Sequence, residues 1–209
     1  MAAPDPLYLL PTPAGAWIAS AEAAADRLRA FIRLLLAQPV SPPWRDPDDL
    51  FVRRLGQLGW VQFLAAPRRV SQAPFDDALR SYLPALSAKG CALLADAHGF
   101  HLASSGFSDS AAEALAALSA DLASLHERHR RSLNQNLGVG GSAWAMPDAA
   151  GHSQLAFWPL HVGEHRFALV TAGVPHLNQP ELVDLVWLLH QRYGPLASRT
   201  QLSVSTTIS

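Results

Sequence analysis

Lysine and cysteine are almost missing from this sequence. Lys89 is the only lysine in 209 residues, so the other basic residues are arginines, as a GC-rich genome favours. Cys91 is the only cysteine, which excludes an intrachain disulfide; its apolar neighbours mark it as a core thiol. An excess of charge is missing too, with 16 Lys and Arg against 17 Asp and Glu. Bulk nucleic-acid binding needs a cationic footprint, which this balance does not supply. The arginines of VRRLGQLGW and PRRV are local exceptions and a weak case for such binding. No apolar run approaches the about 20 residues of a membrane span. The start, MAAPDPLYLLPTP, lacks a cationic segment and a long apolar core, so a signal peptide is not expected. A cytoplasmic protein without membrane insertion is the expectation.

What is present is apolar. Hydrophobic residues make up 49% of the chain and charged residues 16%, a balance that calls for a packed core and argues against disorder. LYLLPTPAGAWIAS, residues 7–20, reads as two short strands around a Pro/Gly turn. Ser20 is placed to cap a helix over AEAAADRLRAFIRLLLAQ, with Leu28, Phe31, Ile32 and Leu35 on one side. PVSPPWRDP cannot be helix interior. Asp46 or Asp48 is placed to cap DDLFVRRLGQL, Gly59 to end it, and WVQFLAA reads as a strand. Residues 1–70 thus form a hairpin, helix, helix, strand module, closed by PRRVSQAP.

Residues 74–194 have a second pattern. FDDALRSYLPALSAK reads as a helix that Pro84 interrupts. CALLADA and FHLASSG read as adjacent antiparallel strands, with Asp96 bonding backbone two residues on and Gly99 taking positive φ in the turn. A long helix follows, capped by Asp109 or Ser110 and ending before GVGG. GSAWAMP, SQLAFWPL and RFALVTAG read as three strands, the last two joined by HVGEH. NQPELVDLVWLLHQRYG closes the pattern as a helix, with Asn178 at its N-cap. Short connections within each strand group make the sheet antiparallel. The fold class is α+β: a five-stranded antiparallel sheet with elements in the order α-β-β-α-β-β-β-α, plus the small ββααβ-like amino-terminal module. Residues 195–209 form a polar tail, disordered or a loose extra strand.

The long helix carries two stripes. Leu115, Leu118, Leu122, Leu125 and Leu133 recur at spacings of three and four, apart from one skipped position near His129, and are expected to lie on the sheet. Ala112, Ala116, Ala120 and Ala123 fall more than a quarter-turn away. Alanine is the best helix former, which accounts for the stripe without any partner. The sharper reading is a helix-to-helix seam in a homodimer, with Glu127, Arg130 and Arg131 as a polar rim and about 800 Å² buried per subunit. The cationic run from His126 to Arg131 also suits a helix C-terminus for electrostatic reasons alone.

CALLADAHGFHLASSG, with its apolar-run, Asp-x-x-Gly, apolar-run layout, and the AAEALAALSADLASL helix after it resemble the roadblock family (dynein light chain type), which includes bacterial regulators of Ras-like GTPases. The element order over residues 74–194 is also similar. The resemblance implies a homodimer with paired long helices and a continuous sheet. It implies a non-enzymatic platform, regulatory or scaffolding, for a Ras-like small GTPase or a larger signalling or motility complex. Residues 1–70, the LNQNLGVGG loop and the proline-broken ALRSYLPALS helix depart from a minimal member.

No catalytic constellation is legible. His98 and His101, His126 and His129, and His161 and His165 lie on three different elements, and HVGEH lacks the order and helical context of H-E-x-x-H. No G-x-S-x-G elbow occurs, and GVGGSAW lacks the lysine of a phosphate loop. Neither an enzyme, a cofactor nor a metal is expected. Trp144 and Trp158 fall on adjacent strands, as a cross-strand pair or facing a partner. The alternative function is a small-molecule sensor with a pocket inside a PAS/GAF-like sheet.

Overall fold

The computed structural model describes residues 6–46 and 48–194; the expected polar tail at 195–209 lies outside the described residues. The elements run β1 (Leu7–Pro11), α1 (Pro13–Ser20), α2 (Arg27–Leu36), β2 (Pro43–Trp44), α3 (Leu50–Gln57) and β3 (Val61–Leu64). Then come α4 (Phe75–Tyr82), a 3₁₀ turn (Leu83–Leu86), β4 (Ala92–Asp96), β5 (His101–Ser105), α5 (Asp109–Arg131) and a π turn (Ser132–Asn136). β6 (Trp144–Pro147), β7 (Ser153–Val162), β8 (His165–Ala172) and α6 (Pro180–Tyr193) complete the series.

The main sheet has the order β5-β4-β8-β7-β6, every pair antiparallel. The α+β class and the α-β-β-α-β-β-β-α order are therefore as expected. β5 and β6 occupy opposite edges, so α5 must cross the whole sheet between them. Four strand spacings of about 4.8 Å make a width of about 19 Å, which 23 helical residues span with ease. Strand alternation supplies two apolar faces. Leu93, Ala95, Phe157 and Val170 face α5, while Leu94, Leu160, Phe167 and Leu169 join α4, α6 and α1 on the other side.

Turn chemistry holds the first hairpin. Asp96 Oδ1 accepts from the N–H of His98 at 2.9 Å and of Phe100 at 3.0 Å, and Gly99 has φ +87°. Gly163, at φ +59°, opens the two-residue turn between β7 and β8. Pro84 converts the end of α4 into the 3₁₀ turn, as the proline rule anticipates.

The amino-terminal elements differ from the expectation in element type at one place and in helix starts at others. PAGAWIAS is a helix, not a second strand. Thr12 Oγ1 accepts from Gly15 N–H at 3.1 Å and Pro13 holds the first helical position, so the Pro/Gly pair starts a helix instead of turning a hairpin. The next helix starts later than expected. Asp26, not Ser20, caps it, with Oδ1 2.8 Å from Arg29 N. The alanine-rich link before it leaves the helical path because Arg29 and Arg33 reach back across it. Arg29 Nε donates to Ile18 O at 3.2 Å and Arg33 Nε to Ala19 O at 2.8 Å, satisfying orphan carbonyls at the end of α1. The other caps move by a single residue: Asp49 in place of Asp48, Ser108 in place of Asp109, and Gln179 in place of Asn178.

Residues 6–70 dock on the sheet and α6. Leu10, Ala16, Ala19, Ile32 and Leu36 belong to the same buried cluster as Leu160, Leu185 and Trp187. Trp17 meets Trp158 edge-on at 5.5 Å. Side chains of α6 answer the carbonyls at the end of α2: Trp187 Nε1 donates to Gln38 O and Gln191 Nε2 to Leu36 O, each at 2.7 Å. Arg68 pairs with Asp184 at 2.6 Å.

Gly15 sits where an added Cβ would collide with the Trp60 backbone carbonyl, which cannot rotate aside. Gly15→Ala should therefore cost about 1–3 kcal/mol in urea unfolding, the range for overpacking, while Gly141→Ala, with open space around it, should cost little.

His190 supplies a second prediction. Burial, aided by the nearby Arg33 charge, lowers its pKa to about 4, and its Nε2 has no hydrogen-bond partner. The folded pKa lies below the unfolded value of about 6.5. Stability is therefore highest above that value. It falls with pH toward 4, because the unfolded state takes up a proton that the folded state refuses. The loss should be on the order of 3 kcal/mol at pH 4. Denaturation of His190→Leu across this range should show a correspondingly flatter pH profile than the parent protein.

Candidate functional site: the leucine flank of α5 and the open edge of β6

Ser108 starts α5, its Oγ accepting from Ala111 N–H at 3.3 Å. Arg128, His129, Arg130 and Arg131 lie in its last turn, where cations oppose the exposed carbonyls. Between these ends the helix sits on the sheet through small residues. Ala112 and Ala116 are 0% exposed and Ser119 is buried, its hydroxyl turned back onto Ala116 O at 2.7 Å. They pack against Leu93, Ala95, Phe157 and Val170. Gly99 also presses on the helix, where an added Cβ would lie 3.1 Å from Ala117 Cα.

The alanine stripe expected to meet a second copy is therefore seated on the sheet at Ala112 and Ala116, while of the leucines expected there Leu115 and Leu122 pack against the same cluster and Leu118 is left exposed. Ala112 and Ala116 face the protein's own sheet and are not available to a second copy. Ala120 and Ala123 are half-buried. The physical reason is distance: alanine lets the helix approach the bulky β-branched and aromatic residues of the sheet, where leucine would hold it off. The leucines are displaced to the flank of α5 that looks toward β6. Leu118 is 38% exposed, and Leu115 and Leu122 are only partly buried against the cluster beneath them. Leu115, Leu118, Leu122 and Leu125 keep the three-four-three spacing of a helix-pairing seam.

β6 borders this flank. It pairs with β7 alone, so its outer edge has no neighbour among the described residues. The register sets Trp144 opposite Phe157 and Met146 opposite Leu155, which puts both on the α5 side. Met146 is 55% exposed. Trp144 does not pair with Trp158, which lies on the reverse face against Trp17. It meets His126 edge-on at 6.2 Å, and its indole Nε1 is buried without a partner. Leucine row, Trp144 and Met146 together form an apolar strip along an unpaired strand edge, an arrangement that proteins otherwise avoid.

Glu127, Arg130 and Arg131 stand at the far end of the strip, exposed. Arg130 Nε lies 3.2 Å from Glu127 Oε1, and Arg131 Nε donates to Gln135 Oε1 at 3.1 Å. Such exposed pairs contribute little stability. The remaining polar candidates do not assemble: among the described residues no three of His, Cys, Asp and Glu come together as metal ligands. One cavity between the sheet and α5, bordered by Ser119, Leu122, Trp144 and Phe157, holds about 30 Å³, room for about one water. Among the described residues no helix is long and apolar enough to cross a membrane.

The geometry defines an α+β protein, its five-stranded antiparallel sheet covered by α5 on one face and by α4, α6 and α1 on the other. The sequence matches no protein-family model and no curated protein. Solved structures similar to the chain include a roadblock/LC7 domain from Streptomyces avermitilis, at 17% identity and TM-score 0.35, covering 63% of this chain and 100% of that one. MglB of Myxococcus xanthus is 16% identical with TM-score 0.32, covering 65% and 91%. The gliding protein MglB of Thermus thermophilus is 20% identical with TM-score 0.36, covering 60% and 94%. At these scores the likeness carries no functional conclusion, and the fold class rests on this chain's own strand order and helix placement.

Ala116→Arg should prevent folding, because the guanidinium would be forced between α5 and Leu93. Loss of the cooperative thermal transition and of near-UV circular dichroism would be the readout, and a folded variant would contradict the assigned face.

Proposed function

We propose that the chain is a non-enzymatic regulatory or scaffold protein that forms a homodimer and in that form binds a Ras-like small GTPase or a larger signalling or motility complex. The observation that carries the dimer is the continuity of the leucine flank of α5 with the open edge of β6. A two-fold axis beside β6 would join the two sheets edge to edge and set the two leucine rows against each other, burying both surfaces at once. Such an isologous contact uses the same patch twice, and a stable one needs about 800 Å² from each subunit.

Glu127, Arg130 and Arg131 would form the polar rim of that dimer, with Trp144 in its apolar centre. The GTPase part of the reading comes from the roadblock resemblance of residues 91–106 and of the element order. Contacts with the GTPase would act by favouring one of its switch conformations. Residues 1–70 and 74–194 would divide the labour. The second region supplies the dimer, and the first covers α6 and one face of the sheet, leaving the leucine flank of α5 free. Any partner would then be met on the α5 side or at the sheet edges.

Light scattering on the parent protein should give twice the chain mass. Leu118→Arg with Leu125→Arg should give a folded monomer, since both side chains lie outside the buried face of α5. A parent protein that remains monomeric at micromolar concentration would end the dimer reading. The GTPase part is tested by calorimetry with Ras-like GTPases from the same genome. Affinity should differ by about tenfold or more between diphosphate and triphosphate states, and equal affinity would remove the switch role.

A further inference from the structure

At the opposite end of the sheet from the α4–β4 connection, a cleft of about 410 Å³ opens between the amino-terminal module and the last turns of α5. Its floor is the β7–β8 hairpin. His161 and Arg166 are directly opposite in the register, so both side chains stand on the α5 side. Ala21–Ala24, the link between α1 and α2, forms one wall; His126 and Arg130 of α5 form the other, and Ser142 borders the mouth.

The charges around this cleft are unevenly answered. Glu22 pairs with Arg29 at 3.4 Å and Glu127 with Arg130 at 3.2 Å, so both acids at the rim have a cation already. Asp96, near Arg166, spends one carboxylate oxygen on the turn N–H groups of His98 and Phe100. Arg166 forms no ion pair among the described residues, and its one hydrogen bond, to Ala97 O, is long at 3.5 Å. Arg33, beneath the link, is held by the carbonyls of Ala19, Glu22 and Ala23, with no carboxylate on its guanidinium among the described residues. Burial, then Arg166 and Arg33, lowers the pKa of His161, which registers the positive field at the floor.

We propose that this cleft binds a small organic anion, through a phosphate or carboxylate group held by Arg166 and by hydrogen bonds from the imidazoles and Ser142. Ala23, Ala24, Ala123 and Pro159 offer a smooth, uncharged wall to the rest of the molecule. The volume falls within the range of about 300–1,000 Å³ typical of ligand clefts. A bound anion would tie the link of the amino-terminal module to the end of α5. It would thereby connect residues 1–70 with the helix that carries the leucine flank.

The test uses the full chain, titrated separately with pyrophosphate and with citrate, followed by the imidazole resonances of His126 and His161. Saturable shifts of both resonances are expected with at least one anion. A response to pyrophosphate alone assigns a phosphate ligand and a response to citrate alone a carboxylate. Arg166→Gln should weaken binding by about tenfold or more, and Arg192→Gln, whose guanidinium stacks on Phe75 elsewhere, should not. Ala24→Asp, on the exposed wall, should abolish binding as well and serves if Arg166→Gln does not fold. The proposal is overturned if neither anion saturates these resonances at millimolar concentration, or if folded Arg166→Gln or Ala24→Asp binds as tightly as the parent. The readout is independent of whether the protein is a dimer.

Discussion

The close approach of α5 to the sheet through Ala112 and Ala116 is the contact on which the arrangement of every surface depends. Both residues are fully covered by Leu93, Ala95, Phe157 and Val170. A helix seated through side chains this short lies near the sheet, and that seating fixes its rotation. Rotation in turn decides which residues are left over. The leucine row falls on one flank, beside Trp144 and Met146, instead of underneath. An apolar strip on the outside is thus a direct consequence of small residues on the inside.

The amino-terminal module is joined to the rest by a different physical device, the satisfaction of helix ends. Arg29 and Arg33 of α2 answer the terminal carbonyls of α1. Trp187 and Gln191 of α6 answer carbonyls at the end of α2. A helix end buried without partners is costly, so each of these bonds fixes an orientation as well as a contact. The module thereby covers α6 and part of the sheet while leaving the leucine flank of α5 open. Its α1–α2 link reaches round to the end of the hairpin, and the cationic cleft exists only because that link supplies its second wall.

Much of this was legible in the chain. The order of elements from 74 to 194, the Asp96–Gly99 turn, the break at Pro84 and the two stripes of α5 all follow from short-range rules: side-chain period, turn chemistry and the missing N–H of proline. Less legible was the helix at Pro13–Ser20, because Pro and Gly close together signal a turn as readily as a helix start. What decided it was a cap from Thr12 and the space under the carbonyl of Trp60, a residue far from Gly15 along the chain. The stripes were recognised but the alanines were placed on the wrong side, since periodicity separates two faces of a helix without saying which one is more deeply inside. Hydrophobicity favours leucine for the interior; the depth of the gap above Phe157 and Val170 favoured alanine.

Local sequence determined where helices and strands begin and end, to within a residue or so at most caps, and that the sheet is antiparallel. Only the tertiary structure decided which flank of α5 is exposed, that β6 is an edge, and that His161, Arg166 and the Ala21–Ala24 link meet around one cleft. The reason is the range of the forces involved. Periods and caps act over a few residues, whereas the rotation of a helix on a sheet and the meeting of distant charges depend on volumes contributed by segments far apart in the chain.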